Sequence, residues 1–136
     1  MRLLYTHVDH IYWKVRRKSK VEPRDELTED NRERRIENAL VITFAVESAD
    51  FDDTARRVAA DIDDVCSKVK AEAVVLYPFV HLFPDELASP QECMRLRDLI
   101  SGLVSRPCYH VPFGWYKVHE YRSPGHPLAE LSRTFR

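Results

Sequence analysis

The sequence is poor in glycine and cysteine, the residues on which fibrous and disulfide-linked proteins depend. It contains three glycines and three cysteines among 136 residues. So little glycine argues against a fibrous or disordered chain. The cysteines, Cys66, Cys93 and Cys108, are odd in number and widely spaced, which fits neither a disulfide framework nor a paired-thiolate zinc site. We expect all three to be reduced, with Cys66 and Cys93 packed on the apolar faces of helices.

Long apolar runs and an excess of either charge are also missing. No apolar stretch approaches the roughly 20 residues of a membrane helix, and His7 and Asp9 interrupt the amino terminus before a signal-peptide core could form. We therefore expect a cytoplasmic protein with no membrane partner. The formal net charge of −1 is unusual for a surface that grips a nucleic-acid duplex. A nucleic acid would have to be held locally or by another domain.

The signatures of several catalytic classes are absent as well. There is no glycine-rich phosphate loop, no nucleophile elbow and no Cys–His hydrolase signature. His7, Asp9 and His10 are candidate metal ligands, but no further carboxylate or cysteine stands at a ligand-like spacing. We expect neither a metal nor an organic cofactor.

What the sequence does contain is a succession of strand and helix patterns within the length of one domain. Residues 1–8 and 10–17 predict two strands joined by a tight connection. Residues 18–38 carry both charge signs and few apolar side chains, which predicts a charged surface excursion with a helical turn at 29–36. Residues 39–46 are almost continuously apolar, as in a central strand buried on both faces.

The second half of the chain predicts two amphipathic helices and further short strands. Apolar residues recur at helical spacing over 51–69. Ser89 and Glu92 form a capping box for the second helix, which should end near 105–107. The remaining pattern predicts strands at 73–77, 108–111 and 116–121 and a short amphipathic tail at 128–135. We predict a single compact α/β domain over residues 1–136, with a mixed β-sheet and two main amphipathic helices.

Two predicted strand ends share a Pro-Phe pair that precedes a residue suited to a polar pocket. Residues 78–82 read Pro-Phe-Val-His-Leu, and residues 112–117 read Pro-Phe-Gly-Trp-Tyr-Lys. We expect the two ends to face each other across a small cleft that holds His81 and Lys117. The pattern alone also fits an exposed strand-edge lysine and a hydrogen-bonded structural histidine.

A third motif, Gly-His-Pro-Leu-Ala-Glu-Leu-Ser-Arg-Thr at 125–134, joins these two segments. In this order the three motifs resemble the N-terminal editing domain of archaeal threonyl-tRNA synthetase. The opening Met-Arg-Leu-Leu and the strand at 43–47 are similar too, so the resemblance covers nearly the whole chain. It implies a fold similar to that of D-aminoacyl-tRNA deacylases and a homodimer. It also implies association with further synthetase domains or with a catalytic threonyl-tRNA synthetase subunit.

The resemblance implies a proofreading hydrolase that removes L-serine from seryl-tRNA(Thr). Such an activity is needed because serine is smaller than threonine and enters any site that accepts threonine. The synthetic site can favour binding of threonine over serine by only about 1–3 kcal/mol. The missing nucleophile motif agrees with this reaction. An aminoacyl ester is already activated and needs mainly a positioned water and charge stabilisation. The partner implied is the serine-bearing 3′ end of tRNA(Thr).

Carried over by position, the resemblance implies catalytic roles for Lys117, His81, Tyr116 and Glu130. Lys117 would position the attacking water and the amino acid, the other three would complete the polar lining, and the 2′-hydroxyl of the terminal adenosine would take part. Val80 stands where the family usually has a smaller residue, and Trp115 where it has a tyrosine. The implied substrate-binding residues are Ala45, Val46, Pro78, Phe79, Val80, Phe113, Gly114 and Trp115.

Two alternatives stay open at this point. One is a deacylase for D-aminoacyl-tRNA, and the other is a non-catalytic tRNA-binding or assembly module. The net charge of −1 and the scattered basic clusters suit a pocket for the tRNA end better than a broad binding face.

Overall fold

A six-stranded mixed β-sheet frames the structure, a computed structural model that describes residues 1–136. The strand order is β4-β3-β2-β1-β5, and β6 also pairs with β1. The predicted α/β domain, with its mixed sheet and two main helices, is confirmed. The elements are β1 (Arg2–Lys18), α1 (Glu29–Arg32), β2 (Glu33–Ala45), α2 (Asp52–Val69), β3 (Ala73–Pro78), α3 (Pro90–Leu103), β4 (Cys108–His110), β5 (Trp115–Arg122) and β6 (Glu130–Thr134).

The two strands predicted at the amino terminus are one strand of 17 residues, β1. It pairs with β2 in a single antiparallel register that runs from Arg2 opposite Ala45 to Lys14 opposite Glu33. The polar residue Asp9 therefore lies inside the strand instead of in a turn. A polar residue between two apolar runs can mark either an exposed position within a strand or a tight turn. The sequence pattern therefore could not distinguish one long strand from two short ones.

The charged excursion is shorter than predicted, because β2 begins at Glu33 and takes residues 33–38 into the sheet. The helical turn is confined to α1, which Thr28 caps by accepting a hydrogen bond from the backbone of Asn31 at 3.2 Å. Among residues 33–38 only Ile36 is buried. Backbone pairing with β1 stabilises this polar stretch, which composition alone cannot reveal.

The predicted helix–strand unit in the middle of the chain is confirmed. Strands β2 and β3 are parallel neighbours, and α2 connects them and packs its apolar side on the sheet beside α3. Ser89 caps α3 by accepting from the amide of Glu92 at 3.2 Å. The capping box is only half formed, since the Glu92 carboxylate pairs with Arg95 instead. The predicted carboxyl-terminal tail forms β6, an edge strand on the first residues of β1.

A second buried cluster lies on the sheet face away from α2 and α3. It includes Val8, Ile11, Trp13 and Tyr77. The excursion covers part of it, because the Trp13 indole donates a 2.8 Å hydrogen bond to the carbonyl of Asn31. The three cysteines are free, as expected. No helix is long and apolar enough to cross a membrane.

Candidate active site

An apolar cavity of about 250 Å³ opens where the ends of β2 and β3 meet the loop before β5. The amide of Phe79 donates to the carbonyl of Phe44 at 2.7 Å, and the amide of Ala88 donates to that of Val46 at 3.0 Å. These backbone bonds fix two walls at the carboxyl ends of parallel strands, a usual place for a ligand pocket in α/β sheets. The lining residues are Val21, Phe44, Ala45, Val46, Pro78, Phe79, Val80, Leu87, Ala88, Pro90, Cys93 and Phe113.

The two Pro-Phe segments do meet across this cavity, whereas two of the implied substrate-binding residues lie outside its lining. Gly114 has a φ of +85°, and a Cβ there would stand 2.3 Å from the Cβ of Arg24. The Trp115 indole donates a 2.8 Å hydrogen bond to the carbonyl of Asp25. Both residues therefore attach the loop to the excursion. The implied residues that line the cavity are Ala45, Val46, Pro78, Phe79, Val80 and Phe113.

The Lys117 ammonium is tied to the loop that carries Phe113. Its Nζ donates to the carbonyls of Pro112 at 3.0 Å and Trp115 at 2.7 Å, and it lies 5.4 Å from the centre of the Tyr77 ring. Burial lowers the pKa of Lys117 to about 8, while the charge of Asp25 acts in the opposite direction. Because an ammonium has three N–H groups, one donor remains for a ligand or water.

A groove of about 190 Å³ runs along the helix-free face beside Lys117. Its polar feature is a pair formed by the Tyr77 hydroxyl and His119 Nδ1, 3.0 Å apart. Partial desolvation of the exposed His119 ring and the charge of Lys117 lower the pKa of His119. Sequence reasoning missed His119, although it stands two residues after Lys117 and strand alternation places both on one face. The groove is lined by Leu4, Thr6, Ile11, Val41, Thr43, Tyr77, Phe79, His119 and Tyr121.

The other implied catalytic residues do not hydrogen-bond to Lys117. His81 is exposed, with its ring 5.2 Å from that of Phe79. Tyr116 is 55% exposed and has the Arg17 guanidinium 5.4 Å above its ring. Glu130 is exposed on β6, opposite the groove residue Thr6. These three residues and Lys117 are not among the residues that line the cavity or the groove.

A carboxylate from the excursion fixes the position of the Phe113 loop. Asp25 accepts from Arg97 at 2.5 and 2.9 Å and from the amide of Phe113 at 2.8 Å, and its own amide donates to the carbonyl of Phe113 at 3.0 Å. The side chain of Arg97 is only 4% exposed. Asp25 could not be identified from the sequence. Nothing near it in this charged segment indicates that its partners are Arg97 and Phe113, which lie far away along the chain.

The residues considered as metal ligands do not converge. Both ring nitrogens of His7 are hydrogen-bonded, to His126 at 2.7 Å and to Asn38 at 2.8 Å. Asp9 lies 3.6 Å from Arg122, and His10 lies 3.7 Å from Glu120. No group of three or more His, Cys, Asp or Glu side chains is arranged to hold a metal ion.

Comparison with known protein families identifies the family of this chain. A family model described as the archaea-specific editing domain of threonyl-tRNA synthetase matches residues 1–135. The chain belongs to this family. Its curated relatives include the threonine–tRNA ligases of Caldivirga maquilingensis, 43% identical over 98% of the chain, and Methanothrix thermoacetophila, 41% identical over all of it. The editing domain spans 22% of the length of each of these relatives.

A solved structure shares the fold of the editing domain. The protein described as c-Myc DNA Unwinding Element Binding Protein superposes with a TM-score of 0.68 over 100% of this chain and 99% of that chain. The two sequences are 10% identical. At that identity the likeness concerns the fold alone.

The Lys117 ammonium of the editing domain should titrate near pH 8 instead of near its ordinary 10.5. NMR of isotope-labelled lysine side chains measures this midpoint, with Lys117→Met identifying the signal. Between these pH values the unfolded chain keeps a proton that the folded domain has lost. The free energy of unfolding should therefore rise with pH in this window relative to Lys117→Met. A midpoint above 10 contradicts the described environment.

Proposed function

We propose that this editing domain, residues 1–136, hydrolyses L-seryl-tRNA(Thr) and spares L-threonyl-tRNA(Thr). The observation that carries the proposal is the apolar cavity between Phe79, Val80 and Phe113, because the loop that carries Phe113 also supplies the two carbonyls that hold the partly dehydrated Lys117 ammonium. Membership of the family supports an editing role, and the threonine–tRNA ligase relatives support tRNA(Thr) as the partner. The chain would act in the cytoplasm, as one part of a synthetase or beside a catalytic synthetase subunit.

Selection against threonine follows from the wall of the cavity. Serine, the amino acid to be removed, has the smaller side chain. The site must therefore exclude the extra methyl group of threonine. The cavity wall can exclude a methyl group only if it is rigid, because protein interiors that relax accommodate an extra methyl group at modest cost in free energy. Phe113 is held by hydrogen bonds on both its amide and its carbonyl, to Asp25. Val80 adds bulk at the rim, where it is 47% exposed.

The proposed reaction needs no protein nucleophile. The oxygen of a water attacks the ester carbonyl carbon, the bond from that carbon to the ribose oxygen breaks, and a proton from the water passes to the ribose oxygen. Lys117 would orient the water or bind the developing oxyanion with its third N–H. The 2′-hydroxyl of the terminal adenosine would assist the proton transfer. Cys93 lines the cavity, but burial raises the pKa of its thiol to about 11, so it stays protonated and acts as wall.

His81, Tyr116 and Glu130 would complete the polar lining around the aminoacyl end and its adenosine. Their separation from the Lys117 hydrogen bonds fits contacts to different parts of one ligand. The backbone near Ala45 and Val46 would shape the seat of the amino acid.

A homodimer is part of the proposal. Its support is the helix-free sheet face, where Phe79 is 36% exposed and Tyr121 is 49% exposed beside the groove. Pairing of such faces buries aromatic surface that a monomer leaves in water. Sedimentation velocity at micromolar concentration should show a dimer, and a monomer at every concentration contradicts this part.

Parallel hydrolysis assays with L-seryl-tRNA(Thr), L-threonyl-tRNA(Thr) and D-tyrosyl-tRNA test the proposal. We expect fast release of serine only. Lys117→Met should lower that rate at least about 100-fold, the usual effect of removing one donor from the developing charge. Lys68→Met, an exposed lysine on α2, is the matched control and should keep the parental rate.

Each other outcome identifies a different function. Faster turnover of the D-ester would make the domain a D-aminoacyl-tRNA deacylase. Hydrolysis of none of the esters would favour a non-catalytic binding or assembly module. A parental rate in Lys117→Met would refute the role given to this lysine.

A further inference from the structure

The end of β1 and the residues after it form a ribbon of unpaired positive charge. Residues 14–20 read Lys-Val-Arg-Arg-Lys-Ser-Lys, with five cations and no acid. All five side chains are exposed, and none takes part in an ion pair or a side-chain hydrogen bond. Many other basic residues are paired, as Arg57 is with Asp53 and Arg95 is with Asp52. The members of this basic ribbon are Lys14, Arg16, Arg17, Lys18 and Lys20.

The ribbon is joined directly to the candidate active site. In the antiparallel pairing of β1 with β5, Val15 lies opposite Lys117, Arg17 opposite Tyr116 and Lys18 opposite Trp115. Past the strand, the amide and hydroxyl of Ser19 both donate to the carbonyl of Gly114, at 3.1 and 2.8 Å. The cations are therefore held at a fixed position relative to the Phe113 loop.

We propose that the basic ribbon binds the phosphate backbone of the RNA arm whose 3′ end enters the cavity. This inference rests on the proposed function, because that function brings an aminoacylated RNA end to Lys117. An RNA strand that reaches this point must leave along a neighbouring surface, and the ribbon is the neighbouring surface with uncompensated charge of the opposite sign.

Spacing and charge distribution both favour a nucleic-acid strand as the occupant. Alternate residues of an extended strand lie about 7 Å apart, the length scale on which phosphates repeat along a polynucleotide. The Arg17 guanidinium lies 5.4 Å from the centre of the exposed Tyr116 ring, and an exposed aromatic ring beside a cation can also receive a base. Residues 14–20 contain no acid, whereas five aspartates, Asp52, Asp53, Asp61, Asp63 and Asp64, lie on α2. The net charge of −1 therefore does not exclude a local basic surface.

The ribbon should contribute affinity without contributing to bond cleavage. Each lysine or arginine that neutralises a phosphate releases a counterion, which makes binding weaken as salt rises. Such contacts act equally on the substrate and the transition state, so their loss raises KM and leaves kcat unchanged.

Two triple variants with the same charge change test this inference. Arg16→Gln with Lys18→Gln and Lys20→Gln removes ribbon cations but keeps Arg17 on Tyr116. The control combines Arg35→Gln, Arg56→Gln and Lys68→Gln, which are exposed cations outside the ribbon. Fluorescence anisotropy measures the Kd for uncharged tRNA over a salt series. Steady-state assays compare seryl-tRNA with 3′-O-seryl-adenosine, an ester without a phosphate backbone.

The ribbon variant should bind tRNA more weakly than the control at low salt, and its slope of log Kd against log salt should fall by about two to three. Its KM for seryl-tRNA should rise at unchanged kcat, and its rate on seryl-adenosine should equal the parental rate. Equal affinities and slopes in the two triple variants would overturn the inference, as would binding to anionic lipid vesicles through these residues without binding to tRNA. If the parental domain cleaves neither ester while only the ribbon variant loses tRNA affinity, the proposed function fails and the ribbon assignment stands.

Discussion

The carboxylate of Asp25 joins three parts of the molecule that the chain supplies from distant positions. It receives two hydrogen bonds from Arg97 on α3 and one from the amide of Phe113. Through the Phe113 loop it also fixes the carbonyls of Pro112 and Trp115, which hold the Lys117 ammonium. One wall of the cavity and the candidate catalytic cation therefore share a single anchor.

A buried ion pair of this kind is better explained by positioning than by stability. Removing two charges from water costs free energy that their attraction only partly returns, and an apolar replacement is often as stable. The ion pair between Asp25 and Arg97 is explained if it holds the Phe113 loop in a fixed position. Under the proposed function the cavity must measure a difference of one methyl group, and the hydrogen bonds between Asp25 and Phe113 hold its wall in place.

The sequence could predict the parts of the fold that follow from local periodicity. The continuous apolar run of β2 and the helical spacing of α2 are dictated by burial, and both appear where they are expected. The unbroken β1 and the early start of β2 could not be predicted, because polar residues enter these strands through pairing with each other. Strand pairing is a property of two segments, and a pattern within one segment does not contain it.

The same distinction applies to the candidate site. Motifs at the two strand ends identified the cavity walls, because each motif is contiguous. The anchor at Asp25 was hidden, since its partners Arg97 and Phe113 lie 72 and 88 residues away. Gly114 and Trp115 belong to a contiguous motif, yet the fold turns them toward the excursion. A motif indicates that residues act together, and only the fold decides which of them meets the ligand.

The dependence of the site on Asp25 is tested most directly by comparing the two carboxylates that contact Arg97. Urea denaturation and seryl-tRNA hydrolysis are measured for Asp25→Asn and for Asp98→Asn, whose carboxylate is 60% exposed. We expect Asp25→Asn to lower the free energy of unfolding by about 3–5 kcal/mol and to slow serine release under conditions where the variant is still folded. For Asp98→Asn we expect a loss of at most about 1 kcal/mol and a parental rate. Equal effects of the two substitutions would contradict the dependence of the site on Asp25.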